Sequence, residues 1–254
     1  MIVRKTPVFI YTLSYVLFGV VFLTAAVLIG SISQRALDYQ NRRTETVAKT
    51  ADDNEYPVSL MLDPGHGGED GGASSEDGTL EKHLNLQIAD NIDHLCLLFG
   101  IPSKMTRYED TMLYDYYSEY EDYTGKKKSL DLKNRLKIAE DSGAELFVGI
   151  HINKFPSSSV KGLQVYYSPN NEKSKRAAGL VQSYAKTYIQ QDNTREIKKA
   201  NSSIYLLKRM TIPAILIECG FLSNPDETAK LKTPEYRAKL ACVVFSSAAE
   251  YLSS

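Results

Sequence analysis

The chain has little cysteine and almost no net charge. Three cysteines, Cys96, Cys219 and Cys242, are scattered through 254 residues, so neither a disulfide framework nor a cysteine-rich zinc module is expected. The 30 basic and 31 acidic residues leave a net charge of −1, which offers no general attraction to nucleic acid or to an anionic membrane. We therefore predict no nucleic-acid partner and one sizeable core, alone or with an appendage.

An appendage is visible at the N-terminus, where residues 8–30 contain no charged residue. A bilayer is crossed by about 20 apolar residues, whereas the apolar part of a cleaved signal peptide has about 7–15. We predict an N-terminal membrane anchor within residues 1–30, with a cleaved signal sequence as the alternative. Residues 31–56 are polar and lack an apolar period, which predicts a tether. The folded domain is expected to span residues 57–254.

The remaining sequence alternates between two kinds of apolar pattern. Short apolar runs bounded by turn residues predict strands at 58–62, 101–107, 145–152, 163–168, 203–208 and 214–220. Apolar positions at helical spacing predict helices at 81–99, 130–142, 174–190 and 234–252. This alternation predicts an α/β fold with a mostly parallel sheet sandwiched by helices.

Four chemically important residues lie near the ends of these strands. His66 follows the first strand, His151 and Glu218 end two other strands, and Glu81 opens the helix after the first strand. Ligands of such sheets bind beyond the carboxyl ends of the strands. The topology therefore predicts that all four residues lie at one edge of the sheet.

Each of the four residues also has a purely structural interpretation. His66 could belong to a tight glycine-rich turn, and that turn lacks the Lys-Ser/Thr pair of a phosphate cradle. Glu81 could be a favourable charge at a helix N-terminus, and His151 could be a core histidine. Glu218 is the hardest to explain in this way, because a carboxylate within an apolar strand needs a partner; a salt bridge is the alternative.

A catalytic zinc site would account for all four residues together. Two imidazoles and a carboxylate can hold zinc while leaving a fourth position open, as catalytic sites require. A second carboxylate nearby can accept a proton from water and return it to the leaving nitrogen. A His, Glu, His set with one more Glu is therefore complete for amide hydrolysis.

The segments LDPGHGGEDGGA, LEKHLNLQIA, VGIHIN and ILIECGFLSNPDE resemble the signature blocks of zinc-dependent N-acetylmuramoyl-L-alanine amidases, the amidase-3 family of cell-wall hydrolases. The resemblance implies that one zinc ion is held by His66, Glu81 and His151, and that Glu218 is the catalytic carboxylate. It also implies a substrate: the amide between the lactyl group of N-acetylmuramic acid and L-alanine in peptidoglycan glycan strands that carry stem peptides.

Two positions depart from the family pattern, because Ile152 replaces a common alanine and Cys219 replaces a small or aliphatic residue. Neither change removes an implied ligand. Strand alternation directs Cys219 away from Glu218, which argues against thiol catalysis. The His-x-Asn spacing makes Asn153 a candidate for orienting the substrate or the loop, with loop capping as the alternative.

Smaller expectations concern neighbouring residues. Arg107 and Arg135 are predicted to form ion pairs that brace the sheet edge, with direct contact to a peptide carboxylate as the alternative. His83 cannot share an ion with Glu81 if the helix has already begun, since two helical residues differ by about 200°. We expect His94 at the surface. The tyrosine-rich, acidic residues 108–128 predict a long loop or a partly helical insertion that could stack on sugars or dock a partner.

The sequence resembles the sporulation branch of the family, because it combines a predicted membrane anchor and a single short domain without wall-binding repeats. The blocks KSLDLKNR and SSIYLLKR add to this resemblance. That branch helps to convert muramic acid of the spore cortex to muramic-δ-lactam, in some cases with a helper lipoprotein. The alternatives are a vegetative amidase of wall turnover or cell separation, a zinc peptidase acting within the stem peptide, and an inactive wall-binding or regulatory protein. In each enzymatic case the domain is expected outside the cell membrane, in the wall or on the cortex side of a forespore.

Overall fold

The computed structural model describes residues 57–117 and 122–254, together with residue 34. The predicted anchor lies outside these residues, as does the predicted tether apart from residue 34. Within the described ranges, no helix combines the length and the hydropathy needed to cross a membrane. Residues 57–117 and 122–254 all fall in a single compact unit.

A six-stranded sheet forms the centre of the described fold, in the order β2-β1-β3-β6-β4-β5. The strands are β1 (Leu60–Pro64), β2 (Ser103–Met105), β3 (Leu146–Asn153), β4 (Gln164–Tyr167), β5 (Lys198–Lys199) and β6 (Ala214–Phe221). All neighbouring strands are parallel except β4 and β6, which are antiparallel. The predicted mostly parallel sheet is confirmed.

Helices cover both faces of the sheet. They are α1 (Glu81–Phe99), α2 (Lys127–Asp141), α3 (Glu172–Tyr188), α4 (Tyr205–Arg209), α5 (Pro225–Leu231) and α6 (Pro234–Leu252). The larger core cluster joins the sheet to α1, α3 and α6, and the smaller cluster joins its other face to α2 and α4. Burial on both faces explains why the central strands are apolar almost throughout. The predicted α/β sandwich is therefore confirmed.

The sequence predicted the end of one helix and the start of another at the observed residues. The first, α1, ends where Gly100 adopts a left-handed conformation with φ of 74°. The last, α6, begins at Pro234, and the side chain of Thr233 accepts the N–H of Tyr236 as a cap. Other starts differ from expectation by one to three residues; for example, β1 begins at Leu60 and α2 begins at Lys127.

The strand predicted at 203–208 is wrong, because this segment forms the short helix α4. Asn201 accepts the N–H of Ser203 through its side chain and that of Ile204 through its carbonyl, which starts a helical turn. Leu206 and Met210, four residues apart, are then both buried in the smaller core cluster. A short apolar run does not distinguish strand from helix, and here packing decides.

The sequence prediction also missed α5. This helix begins at Pro225 after Asn224, whose side chain accepts the N–H of Glu227. An Asn-Pro pair followed by acidic residues is a recognisable helix start. The FLSNPDE segment therefore carries a helix-start signal as well as the family resemblance.

Candidate metal centre

Three side chains converge at the carboxyl edge of the sheet. One ligand atom from each of His66, Glu81 and His151 lies within 4.8 Å of the other two. His66 comes from the loop after β1, Glu81 is the first residue of α1, and His151 lies near the end of β3. Parallel strands bring their carboxyl ends together, so residues distant in sequence share one site. This donor set is one that catalytic zinc takes.

Glu81 is the central member of the group, with both carboxylate oxygens engaged and only 3% of the residue exposed. Its Oε1 accepts the N–H of Ile152 at 3.1 Å and lies 3.0 Å from Nδ1 of His151. Its Oε2 accepts the N–H of Ala73 at 2.7 Å and lies 3.3 Å from Nε2 of His66. One carboxylate thus joins the glycine-rich loop, α1 and β3.

His66 is held by an acid that the sequence prediction overlooked. Its Nδ1 lies 2.8 Å from Oδ2 of Asp70, four residues further along the same loop. Paired backbone hydrogen bonds between Gly67 and Asp70 close this loop. A carboxylate on one ring nitrogen orients the imidazole and leaves the other nitrogen for a metal. The backbone of His66 itself is in the left-handed region, with φ of 64°, which is uncommon for a residue other than glycine and recurs at functional sites.

Two glycines leave room for the candidate ligands. A Cβ at Gly65 would lie 2.1 Å from Cε1 of His151, and a Cβ at Gly72 would lie 2.5 Å from Oε2 of Glu81. Neither position could carry a larger residue without displacing a ligand side chain. The space beside Gly65 and Gly72 is therefore taken up by His151 and Glu81. The His, Glu, His donor set fits a zinc ion.

The charges of the three residues are strongly coupled. Burial opposes ionisation of Glu81, but the hydrogen bonds and charges of His151 and His66 outweigh it and hold the pKa of this carboxyl well below its usual range. Burial also opposes protonation of His66, yet Asp70 and Glu81 raise its pKa to about 9. Metal binding requires a neutral imidazole, so an ion bound at His66 would have to displace a proton.

Glu218 lies beside this group on the neighbouring strand. It is opposite His151 in the register of β3 and β6, and its Oε2 is buried without a hydrogen-bond partner. Burial raises the pKa of Glu218 to about 7; the charge of His151 opposes this rise and that of Glu81 adds to it. Since Glu218 has no ion-pair partner among the described residues, the salt-bridge interpretation has no support.

Arg135 holds the loop of His66 through buried ion pairs and a hydrogen bond to its backbone. Its guanidinium is 1% exposed and forms ion pairs at 2.7 Å with Asp63, at the end of β1, and with Asp131 on its own helix. Its Nη2 also donates to the carbonyl of His66 at 2.7 Å. The side chain is therefore enclosed by protein groups, which leaves no direct contact with a peptide carboxylate.

Arg107 differs from its predicted role, because its hydrogen bonds go to backbone carbonyls. Its N–H groups donate to Pro64 at the end of β1, to Gly65 after it, to Lys82 in α1 and to Glu109. The carbonyls of Pro64 and Gly65 lie where β1 leaves regular strand pairing, and they need donors. Arg107 therefore braces the site through neutral acceptors rather than through an ion pair.

The other predicted residues lie outside the metal group. The side chain of Asn153 accepts the N–H of Lys154, which is a local loop contact. His83 and His94 have about half of their side-chain surfaces exposed and contact Asp110 and Asp90.

The positions that depart from the family pattern point into the core. Ile152 and Cys219 are 1% and 0% exposed and belong to the larger core cluster. Cys219 therefore faces away from Glu218, and burial raises the pKa of its thiol.

The insertion 108–128 packs against the His66 loop. Asp110 accepts the N–H of Gly68 at 2.8 Å, and Lys127 forms an exposed ion pair with Glu69. In the described part of the insertion, turns lead into α2, and Tyr114 and Tyr123 meet edge to face at 5.0 Å. Its possible contact with sugars or a partner stays a prediction.

The α/β fold, the His, Glu, His donor set and the adjacent unpartnered carboxylate together fit the class of metallohydrolases. Residues 60–248 match the family model Amidase_3, described as N-acetylmuramoyl-L-alanine amidase. The chain belongs to this family of zinc-dependent enzymes, and its activity is that of an N-acetylmuramoyl-L-alanine amidase acting on peptidoglycan.

Three similar proteins illustrate the relationship. The germination-specific N-acetylmuramoyl-L-alanine amidase of Bacillus subtilis is 34% identical over 76% of this chain and 79% of its own. The CwlD amidase of Clostridioides difficile, solved in complex with the GerS lipoprotein, is 38% identical with a TM-score of 0.72 and covers 77% of this chain and 98% of that chain. The amidase AmiC2 of Nostoc punctiforme is 27% identical, with a TM-score of 0.64 over 78% of this chain and 99% of that chain.

The raised pKa of Glu218 predicts a pH-dependent stability in the metal-free protein. The folded pKa of about 7 lies above the ordinary glutamate value of 4.5, so the unfolded state ionises first as pH rises. The free energy of unfolding should therefore fall between pH 4.5 and 7, by about 3 kcal/mol from this group. Glu218→Gln should remove that contribution.

Denaturant unfolding in the presence of a chelator, at intervals from pH 4.5 to 8, measures the difference. The stability of Glu218→Gln relative to the natural chain should rise with pH and level off above about pH 7. Parallel pH profiles for the two proteins would contradict the assignment of a buried, unpartnered carboxyl.

Proposed function

We propose that His66, Glu81 and His151 hold one zinc ion and that Glu218 transfers the proton during hydrolysis. The bond cleaved is the amide between the lactyl group of N-acetylmuramic acid and L-alanine. The observation that carries this proposal is the Oε2 atom of Glu218, buried without a partner beside His151. Such an arrangement is costly for folding and useful for catalysis.

When bound, zinc supplies a Lewis acid that polarises the amide carbonyl and makes water more acidic. The protein residues position the ion and transfer the proton. His66, Glu81 and His151 position the ion, and Asp70 orients the ring of His66. The carboxylate of Glu218 accepts one proton from the attacking water, whose oxygen adds to the carbonyl carbon. Glu218 then returns the proton to the leaving nitrogen as the C–N bond breaks.

The products of this step are a lactyl carboxylate on the glycan and a stem peptide with a free N-terminal alanine. Without the ion, burial raises the pKa of Glu218 to about 7. A nearby cation favours the ionised carboxylate and so lowers this pKa when the ion is bound.

We further propose a role in the spore cortex, where removal of whole stem peptides precedes formation of muramic-δ-lactam. The names of the similar proteins support this role, since one is germination-specific and another was solved with a lipoprotein. A helper lipoprotein is accordingly a proposed partner. The charge-free residues 8–30 support a membrane anchor, with the catalytic domain outside the membrane on the side of the wall or cortex.

Two substitutions separate metal binding from proton transfer. Glu218→Ala should retain about one equivalent of zinc and lose turnover, because it removes only the proton-transferring group. His151→Ala should lose zinc, since two remaining ligands hold the ion poorly. His83→Ala is a matched control, as His83 is an exposed histidine on the first turn of α1.

Zinc is measured by elemental analysis of the purified proteins, and turnover by mass spectrometry of digested peptidoglycan. The natural chain should produce free lactyl groups and new N-terminal alanines. New ends within the stem peptide would indicate a peptidase instead. Zinc loss in Glu218→Ala would make Glu218 a ligand, and full zinc in His151→Ala would contradict its assignment.

The cortex role is tested in a spore-forming host that lacks its own amidase of this kind. Expression of the full chain during sporulation should restore muramic-δ-lactam to the cortex, as measured by muropeptide analysis. The Glu218→Ala chain, produced at the same level, should not. Cortex without the lactam despite active enzyme would contradict the cortex role and favour vegetative wall turnover.

A further inference from the structure

A cavity lies at the same edge of the sheet as the metal group. Its volume is about 450 Å³, and it is lined by the loop before β4, the residues after α3, the helix α5 and Tyr236 of α6. The first residue of β4, Gln164, is directly opposite Glu218 in the antiparallel pair of β4 and β6. Gly162, two residues before Gln164, lines the cavity, so the cavity lies beside the end of β4 that is paired with Glu218.

Arg195 lines this cavity and is fixed by three contacts. Its Nε donates to the carbonyl of Lys161 at 2.7 Å, and its Nη1 donates to Oε1 of Gln164 at 2.9 Å. Its guanidinium carbon lies 4.6 Å from the centre of the Phe221 ring. A guanidinium held in this way loses little conformational freedom when it binds a ligand.

The contacts of Arg195 leave its charge without a paired anion. Both hydrogen-bond acceptors are neutral, and in the part of the chain that the structure describes, Arg195 forms no ion pair and its Nη2 makes no hydrogen bond. Three carboxylates also line the cavity, those of Asp192, Asp226 and Glu227. Glu227 accepts the N–H groups of Gly162 and Phe221, and Asp192 forms an ion pair with Lys161. A guanidinium has five N–H donors, so Arg195 retains several for a ligand that enters the cavity.

The charges of Arg195 and Glu218 both affect the hydroxyl of Tyr166 on β4. Gln164 and Tyr166 are two residues apart on β4, so their side chains share the face on which Glu218 lies. Burial raises the pKa of the Tyr166 hydroxyl, the charge of Glu218 raises it further, and the charge of Arg195 lowers it. Both charged groups therefore lie within electrostatic range of one phenol.

We propose that Arg195 binds a carboxylate of the stem peptide and so determines which peptides the enzyme prefers. The substrate has a sugar on one side of the cleaved amide and a peptide with free carboxylates on the other. A fixed guanidinium with unused N–H groups matches a carboxylate through paired, charge-assisted hydrogen bonds. This inference rests on the amidase function of the adjacent cleft, and it adds a specificity-determining residue to it.

The test uses two synthetic N-acetylmuramoyl peptides of identical length, one with free carboxylates and one with carboxamides. The zinc-loaded natural chain should cleave both, with the lower KM for the acid. Arg195→Gln should raise the KM for the acid by about tenfold to a hundredfold, which is the usual effect of losing such a contact. The KM for the amide and both kcat values should change little.

Arg209→Gln is the matched control, because Arg209 also lies over an aromatic ring, that of Tyr205 at 4.0 Å, but precedes β6 at the opposite edge of the sheet. Its KM values should match those of the natural chain. Arg195→Lys keeps the positive charge but not the planar guanidinium, so it should raise the KM for the acid by less and leave the KM for the amide unchanged. If Arg195→Gln does not fold, Arg195→Lys takes its place in the test.

An equal rise of KM for acid and amide would overturn the proposal and make Arg195 a purely structural residue. Unchanged KM values in both Arg195 variants would overturn it as well. Failure of the natural chain to cleave either peptide would instead contradict the amidase function itself. The two failures are therefore distinguishable.

Discussion

The site depends on one buried carboxylate, that of Glu81. An isolated charge at this depth would be strongly unfavourable, but each oxygen of Glu81 accepts a backbone N–H and faces an imidazole. These contacts come from a loop and from a strand that are distant in sequence. Glu81 therefore aligns the parts of the site before any ion binds, and the same negative charge makes the site attractive to a cation.

A second buried network keeps the glycine-rich loop in place. Arg135 ties Asp63, at the end of β1, to α2 and to the carbonyl of His66. Removal of one member of such a network leaves an uncompensated buried charge, which typically costs about 3–5 kcal/mol. The left-handed backbone of His66 is thus held by surrounding structure, as strained residues at functional sites require.

The sequence predicted those features that depend on local patterns or on the topology of parallel sheets. Helix α1 was located by its apolar stripe and Gly100, and the edge shared by His66, His151 and Glu218 follows from the positions of their strands. The short helix α4 was missed because its conformation is decided by packing. The roles of Asp70 and Arg195 depend on loop closure and on contacts across segments, which a single sequence does not reveal.

We propose that Glu81 and the two histidines hold the zinc ion and that Glu218 carries the proton without binding the ion. Anomalous diffraction at the zinc absorption edge, from crystals of the zinc-loaded protein, distinguishes these two roles. We predict one strong peak, about 2.0–2.2 Å from one nitrogen each of His66 and His151 and from a carboxylate oxygen of Glu81. Glu218 should lie outside coordination distance. A peak elsewhere, or one with Glu218 as a ligand, would contradict the account.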